Sequence, residues 1–351
     1  MSYEIKKAKK SMKKTITYIL MIIALFILIY FSINMGNYNV PANKIIRILY
    51  SFVTGSETPS DITNYEKIIV LDLRMPRIIM VLLVGAGLAV CGAASQGIFR
   101  NPLVSPFILG VSSGASLGAA IAIVYFAQKH PHSVDICAGI GGAIAVALAF
   151  LTARKPDGSV PRLSLVLAGT IISSLFGSLT GIMKYVADTE TQLPAITFWM
   201  MGSFGNVGWK TLDFFTWIIP INILLMIIFA WQLNVLSLGD KEASLLGMNI
   251  KKWKLIYIYF IVSTVGICVA RTGVIGWVGL VIPHIGRAIV GPNHRSLLPM
   301  SALIGATFML ISDNISRVAT TGEIPVGIIT AIIGTPFFIY YLRKKETSVW
   351  N

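Results

Sequence analysis

The feature that most limits what this chain can become is the recurrence of apolar stretches about 20 residues long between short polar breaks. A hydrocarbon layer about 30 Å thick needs about 20 apolar residues per helix, and backbone groups inside it must bond within their own segment. Ten runs meet that demand: Thr15 to Asn34, Arg77 to Phe99, Ile108 to Phe126, Val134 to Leu151, Leu163 to Val186, Leu212 to Leu236, Leu255 to Val269, Gly273 to Val290, Leu297 to Ile315 and Ile324 to Leu342. Only 13% of the residues are charged, against about 25% in soluble domains. The expected fold class is an all-α integral membrane protein: a single polytopic domain over residues 1–351, with about ten transmembrane helices and short surface helices.

An even number of spans puts both termini on one side, and the basic residues test which side. With the N-terminus inside, nineteen of the 29 Lys and Arg fall in inner segments, from the N-terminal lysines through Arg154, Lys251 and Arg287 to Lys345. This is the positive-inside pattern, so both termini are expected in the cytoplasm. The formal charge of +14 is then a membrane-topology signal, and no nucleic-acid partner is expected. The lysine-rich start resembles a secretory signal, but the run after it is long enough to span and no small-residue cleavage site follows. It reads as a first span that is retained.

Two outer stretches, Asn37 to Asp72 and Leu193 to Trp209, are too long for turns, and a short helix is expected from Pro41 to Phe52. The inner stretch Ser237 to Trp253 is the largest connection on its side and the natural place for a soluble partner to dock. Gly110, Gly114 and Gly118, and again Gly177 and Gly181, recur at helical spacing and read as ridges for close helix packing. Cys91, Cys137 and Cys268 lie in apolar runs without ligand spacing and read as small core residues. The polar residues that stand out near the membrane are Gln96, Asn101, His284, Asp313 and Asn314. No carboxylate sits near the middle of a span, which disfavours an ion-driven carrier. No His-Glu-x-x-His, Gly-x-Ser-x-Gly or Walker pattern occurs, so any ATP hydrolysis belongs to a separate chain.

Three stretches together resemble the FecCD family of permeases, the membrane subunits of importers for iron siderophores, haem and cobalamin. The first joins Arg74-Met75-Pro76-Arg77 to Gln96 through Leu103 and on to Leu109 through Ala115; the second is Leu236 through Gly239 with Ala243 to Gly247. The third runs from Gly276 to His284 and from Gly291 to Arg295, then through Glu323 to Gly327 and Gly334 to Phe338. The match covers nearly the whole chain after about residue 70.

The resemblance implies a permease subunit of a binding-protein-dependent ATP-driven importer in a bacterial cell membrane, working by alternating access. Its cargo would be a metal chelate, most commonly a ferric siderophore, with haem or cobalamin as alternatives and an ion-coupled carrier as the rival of another class. No resident cofactor is implied. Partners implied are cytoplasmic ATPase subunits, an extracytoplasmic binding protein and a second permease subunit, all within the bilayer or against it. By position, Arg74, Arg77 and Arg317 would dock the binding protein, Asn101 and Leu103 would form a cytoplasmic gate, and Gly239, Asp240, Lys241, Glu242, Ala243, Ser244, Leu245, Leu246 and Gly247 would couple to the ATPase. Pathway-lining candidates are Ser173, Ser174 and Met183.

Overall fold

The computed structural model describes residues 2–36, 38–56, 59–126, 130, 132–156, 160–320 and 322–346. The described residues form fifteen α-helices with three short π or 3-10 segments. In chain order the helices are α1 (Ser2–Asn34), α2 (Ala42–Thr54), α3 (Asn64–Ile68), α4 (Met75–Phe99), α5 (Val111–Tyr125), α6 (Ser133–Ala153), α7 (Arg162–Val186) and α8 (Gln192–Met201). They continue with α9 (Ile218–Ile228), α10 (Ala230–Leu238), α11 (Asp240–Leu245), α12 (Ile250–Thr272), α13 (Val278–Val290), α14 (His294–Val318) and α15 (Val326–Glu346). Six helical rods are long and apolar enough to cross a membrane, and the bent pair α9 and α10 makes a seventh. Three more apolar helices, in α5, α13 and α15, fall below that length.

Helix α4 is the central post. It is buried along most of its length and packs against α13, α14, α12 and α9. Small residues make the closest approaches possible: a Cβ at Gly85 would lie 2.6 Å from Met309 Cβ of α14, and one at Gly92 would lie 2.5 Å from the Gly279 carbonyl carbon of α13. Gly114 and Gly118 do the same between α5 and α6, where a Cβ at Gly114 would meet Ala145 Cβ at 2.6 Å. Without a hydrophobic difference between lipid and side chain, such close packing is what holds apolar helices together. Gly177 and Gly181 depart from the packing expectation, because a Cβ at either would meet nothing within 4 Å.

Several boundaries differ from the sequence reading, each for a local reason. The sixth run is broken: α9 and α10 meet at Phe229 with a bend of 61°. Tyr257 Oη of α12 donates to the Phe229 carbonyl at 2.7 Å, an acceptor that Gln232 N–H also reaches at 3.0 Å, and so ties α12 to the bend. The seventh run is longer than expected, because α12 continues through Arg271 to Thr272 and stops where Gly273 takes φ +69°. The eighth accordingly starts at Val278, after Trp277 at φ +70°. The second run begins earlier, since α3, a π segment at Ile69–Arg74 and α4 form one rod from Asn64 to Phe99. Its start is fixed by a capping box, in which Thr63 Oγ1 accepts from Glu66 N–H at 3.2 Å and Glu66 Oε2 accepts from Thr63 N–H at 2.8 Å. The expected short helix at 41–52 is α2, whose Ile45 and Ile48 are buried.

Candidate functional site: two polar ends of one bundle

At one end of α4 and α14 the structure gathers Arg74, Arg77 and Arg317 into a buried cluster. Arg77 donates from Nε and Nη2 to Asp313 Oδ1 at 3.0 and 2.8 Å, and from Nη1 to Glu323 Oε1 at 2.7 Å. Asp313 is fully buried, and its Oδ2 lies 3.1 Å from Arg317 Nε, close enough for an ion pair but outside hydrogen-bond geometry. Arg317 Nη2 also donates to Ser32 Oγ at 2.7 Å and, over a short contact, to Asn314 Oδ1. Arg74 works differently: its guanidinium donates to the carbonyls of Ile33 at 2.6 Å and Tyr38 at 2.6 Å, closing the C-terminal end of α1. A cation there complements the negative end of the helix dipole.

Three arginines against two carboxylates leave this cluster net positive. Buried charges persist only when paired and hydrogen-bonded, which explains the density of contacts. The resemblance implies a docking role for these arginines; the structure sets all three guanidiniums on internal acceptors and leaves the residues 5 to 8% exposed. Glu323 is the accessible member, with a third of its side chain exposed.

The opposite end holds Asn101 and Leu103. Helix α4 closes with Arg100 in the left-handed region at φ +51°, where Asn101 N–H reaches back to the Gln96 carbonyl and Arg100 N–H to that of Gly97. This is a Schellman closure with arginine where glycine is usual. Asn101 Oδ1 then accepts from Leu103 N–H at 2.9 Å, a side-chain turn that leaves both residues exposed. His284 of α13 was singled out only as a buried polar residue, yet it fixes this turn. It is 2% exposed, its Nε2 lies 3.0 Å from the Pro102 carbonyl, and its ring packs on Phe338 and Tyr341 of α15.

The coupling candidates lie beside the turn. Gly239, at φ +145°, lets the Arg100 guanidinium and the Glu242 carboxylate both close on its backbone: a Cβ there would sit 2.9 Å from Arg100 Nη1. Asp240, Lys241, Glu242, Ala243, Ser244 and Leu245 form α11, and Leu246 and Gly247 end it with Gly247 at φ +76°. Ala243 is buried as the inward anchor, and Asp240 pairs with Lys254 of α12 at 2.8 Å. Leu245 and Leu246 project outward at 87 and 58% exposure.

Sequence reasoning also missed a second arginine-centred cluster, around the half-buried Arg271. Arg271 donates from Nη1 to Asp135 of α6 at 2.6 Å, and from Nη2 to Asp213 over a short contact. Nothing in the local pattern marks these partners, which lie 136 and 58 positions away. On the surface of the Arg74 end, the Arg47 fork grips Asp61 at 2.7 and 2.8 Å and holds its carboxyl below the usual carboxylate range.

Comparison with known proteins gives this arrangement a context. The model of the FecCD transport family matches residues 23–344. The molybdate import system permease protein MolB of Haemophilus influenzae is 42% identical over 319 residues, covering 89% of this chain and 92% of that protein. The hemin transport system permease protein HmuU of Yersinia pestis is 39% identical, covering 79% of this chain and 84% of its own. A solved metal-chelate type ABC transporter in an inward-facing conformation superposes with a TM-score of 0.80 at 38% identity, over 92% of this chain and 97% of the other. With the family model and these relatives all spanning most of its length, the chain belongs to the FecCD transport family, as a multi-pass membrane permease.

Proposed function

We propose that this chain is the permease subunit of a binding-protein-dependent ABC importer that carries a ferric siderophore through a pathway shared with a second permease subunit. The observation that carries the shared pathway is the open face of α7. Thr170, Ser174 and Ser178 lie on it among Leu167, Ile171 and Leu175, all exposed. Thr170 and Ser178 turn their hydroxyls onto backbone carbonyls one turn back. The unfilled Gly177 and Gly181 share that helix. A mixed apolar and hydroxyl face of this kind suits a wall that must release a bulky chelate, and a second copy or a related permease would complete it.

Ten spans follow when α5, α13 and α15 cross with the seven longer rods. Both termini then lie in the cytoplasm, the arginine cluster outside and the Asn101 turn inside. Asn101 and Leu103 gate the inner mouth, and Gly239 to Gly247 passes the motion of a separate ATPase to it through the contact at Arg100. The binding protein docks on the Arg74, Arg77 and Arg317 end. Since those guanidiniums are already bonded, its carboxylates must take the place of an internal acceptor, and Glu323 on Arg77 is the exposed one. Glu323→Gln is therefore expected to strengthen binding-protein capture in a pull-down, and unchanged or weaker capture would contradict the exchange.

A second reading, molybdate as cargo, is favoured by the similarity to the Haemophilus influenzae permease. Uptake of radiolabelled ferric siderophores and of radiolabelled molybdate by a deletion strain, with and without the restored gene, separates them. Restored iron uptake supports the first reading; restored molybdate uptake alone replaces it.

A further inference from the structure

Outside the pathway and the two polar ends, a long groove runs between α6 and α12. Its wider part, about 1120 Å³, runs past Ile140, Tyr259 and Gly266 to Asp135 and Arg271. A smaller cavity of about 360 Å³ lies toward the other end, between Phe99, Asp240, Lys251 and Lys254. Phe150, Leu255 and Ile258 wall both, so the two are parts of one channel along the helix pair. From Lys254 to Arg271 is 17 residues of α12, about 26 Å at 1.5 Å per residue, close to the roughly 30 Å of a hydrocarbon core.

Two glycines keep the groove open. A Cβ on Gly139 or Gly266 would meet nothing within 4 Å, so the space is not taken up by the chain itself. The ends differ in charge. At the wide end Arg271 and Lys210 face Asp135 and Asp213, which balances. At the narrow end Lys251 and Lys254 line the cavity with one carboxylate, Asp240, which Lys254 already engages at 2.8 Å; exposed Lys252 adjoins them. The occupant this demands is apolar over the length of one leaflet or more, slender, and anionic at the lysine end.

We propose that the α6/α12 groove is a binding site for an anionic phospholipid, with an acyl chain against Gly139 and Gly266 and the headgroup phosphate at Lys251 and Lys254. A juxtamembrane lysine attracts an anionic headgroup through the same field that sorts basic residues to that leaflet. The headgroup then lies between Phe99, at the end of α4 just before the Asn101 turn, and Asp240 at the start of α11. Membrane composition thereby acts where the gate and coupling elements meet. The site rests on the groove and its charges alone and would stand whatever the cargo.

The test is native mass spectrometry of the full-length chain after exchange into vesicles of phosphatidylcholine mixed equally with phosphatidylglycerol. Wild type is expected to retain phosphatidylglycerol preferentially, and Lys251→Gln to lower that preference about fivefold, the loss of one lysine's attraction. Gly266→Leu and Gly139→Leu, whose side chains enter open space, are expected to remove retention of both lipids while preserving the thermal unfolding midpoint. Equal retention of the two lipids by wild type overturns the proposal, as does full retention in the folded leucine variants. Dependence on Lys210 in place of Lys251 overturns the assignment of the headgroup end. Dissociation of a permease dimer by Gly266→Leu would show the groove covered by a second copy and would also overturn it.

Discussion

At the scale of single residues, Asp313 carries more than its sequence position suggests. It is the shared counter-charge of Arg77 and Arg317, fully buried, with Arg77 on one oxygen and Arg317 on the other. Removing one partner of a buried pair leaves the other charge uncompensated and costs about 3–5 kcal/mol. Asp313→Ala should therefore lower the thermal unfolding midpoint sharply, while the exposed pair Arg47 and Asp61 should change it little on substitution. An unaltered midpoint in Asp313→Ala would mean that the cluster is not structural. The sequence placed Arg74, Arg77 and Arg317 correctly at one end, because they flank apolar runs. It could not show that they face inward, since Asp313 and Glu323 lie 236 and 246 positions from Arg77, the Ile33 carbonyl lies 41 from Arg74 and Ser32 lies 285 from Arg317. His284 was visible as a polar residue in an apolar run; its hold on Pro102 was not, because only the fold brings residues 182 apart together.

At the scale of elements, periodic hydrophobicity located nearly every helix, and it failed where a break has no glycine or proline. Phe229 interrupts a run that reads as one span, and Tyr257 of α12, 28 positions away, holds the bend through the Phe229 carbonyl. Tyr257→Phe removes this tie while the Phe229 carbonyl keeps its Gln232 N–H, so the loss is that of one ordinary hydrogen bond, about 0.5–1.5 kcal/mol. The expected result is a lower unfolding midpoint with faster hydrogen exchange concentrated at residues 226–233; an identical exchange pattern would remove the hydroxyl from the explanation. The surface helix α2 offers a pH test. Arg47 lowers the Asp61 carboxyl pKa, so the pairing is fully present above the ordinary carboxylate range of about 4 and is lost as pH falls through the lowered value. Exchange in α2 should rise as pH falls below the ordinary carboxylate range, and Asp61→Asn should reduce that rise to the part carried by the Lys44–Glu66 pair. Helix α11 is the third case: Leu245 and Leu246 are exposed on a surface that the proposed topology places in water, where large apolar side chains mark a contact site. Leu245→Asp with Leu246→Asp should abolish co-purification of the ATPase without altering the permease midpoint, and retained co-purification would place the coupling surface elsewhere.

For the whole molecule, one rigid post, α4, links the two polar ends. Its first turn carries Arg77, tied to Asp313 and Glu323, and its last turn leads into the Asn101 turn held by His284 and pressed against Gly239. On the proposed topology these ends are the outer mouth and the coupling surface, and the continuous buried helix α4 runs between them. The most direct measurement is uptake of a labelled ferric siderophore into proteoliposomes containing this chain, its ATPase and its binding protein. The expected result is uptake that requires ATP and the binding protein, persists without an ion gradient, and is lost in the Leu245→Asp, Leu246→Asp variant. Uptake that continues without ATP and collapses on addition of an uncoupler would contradict it.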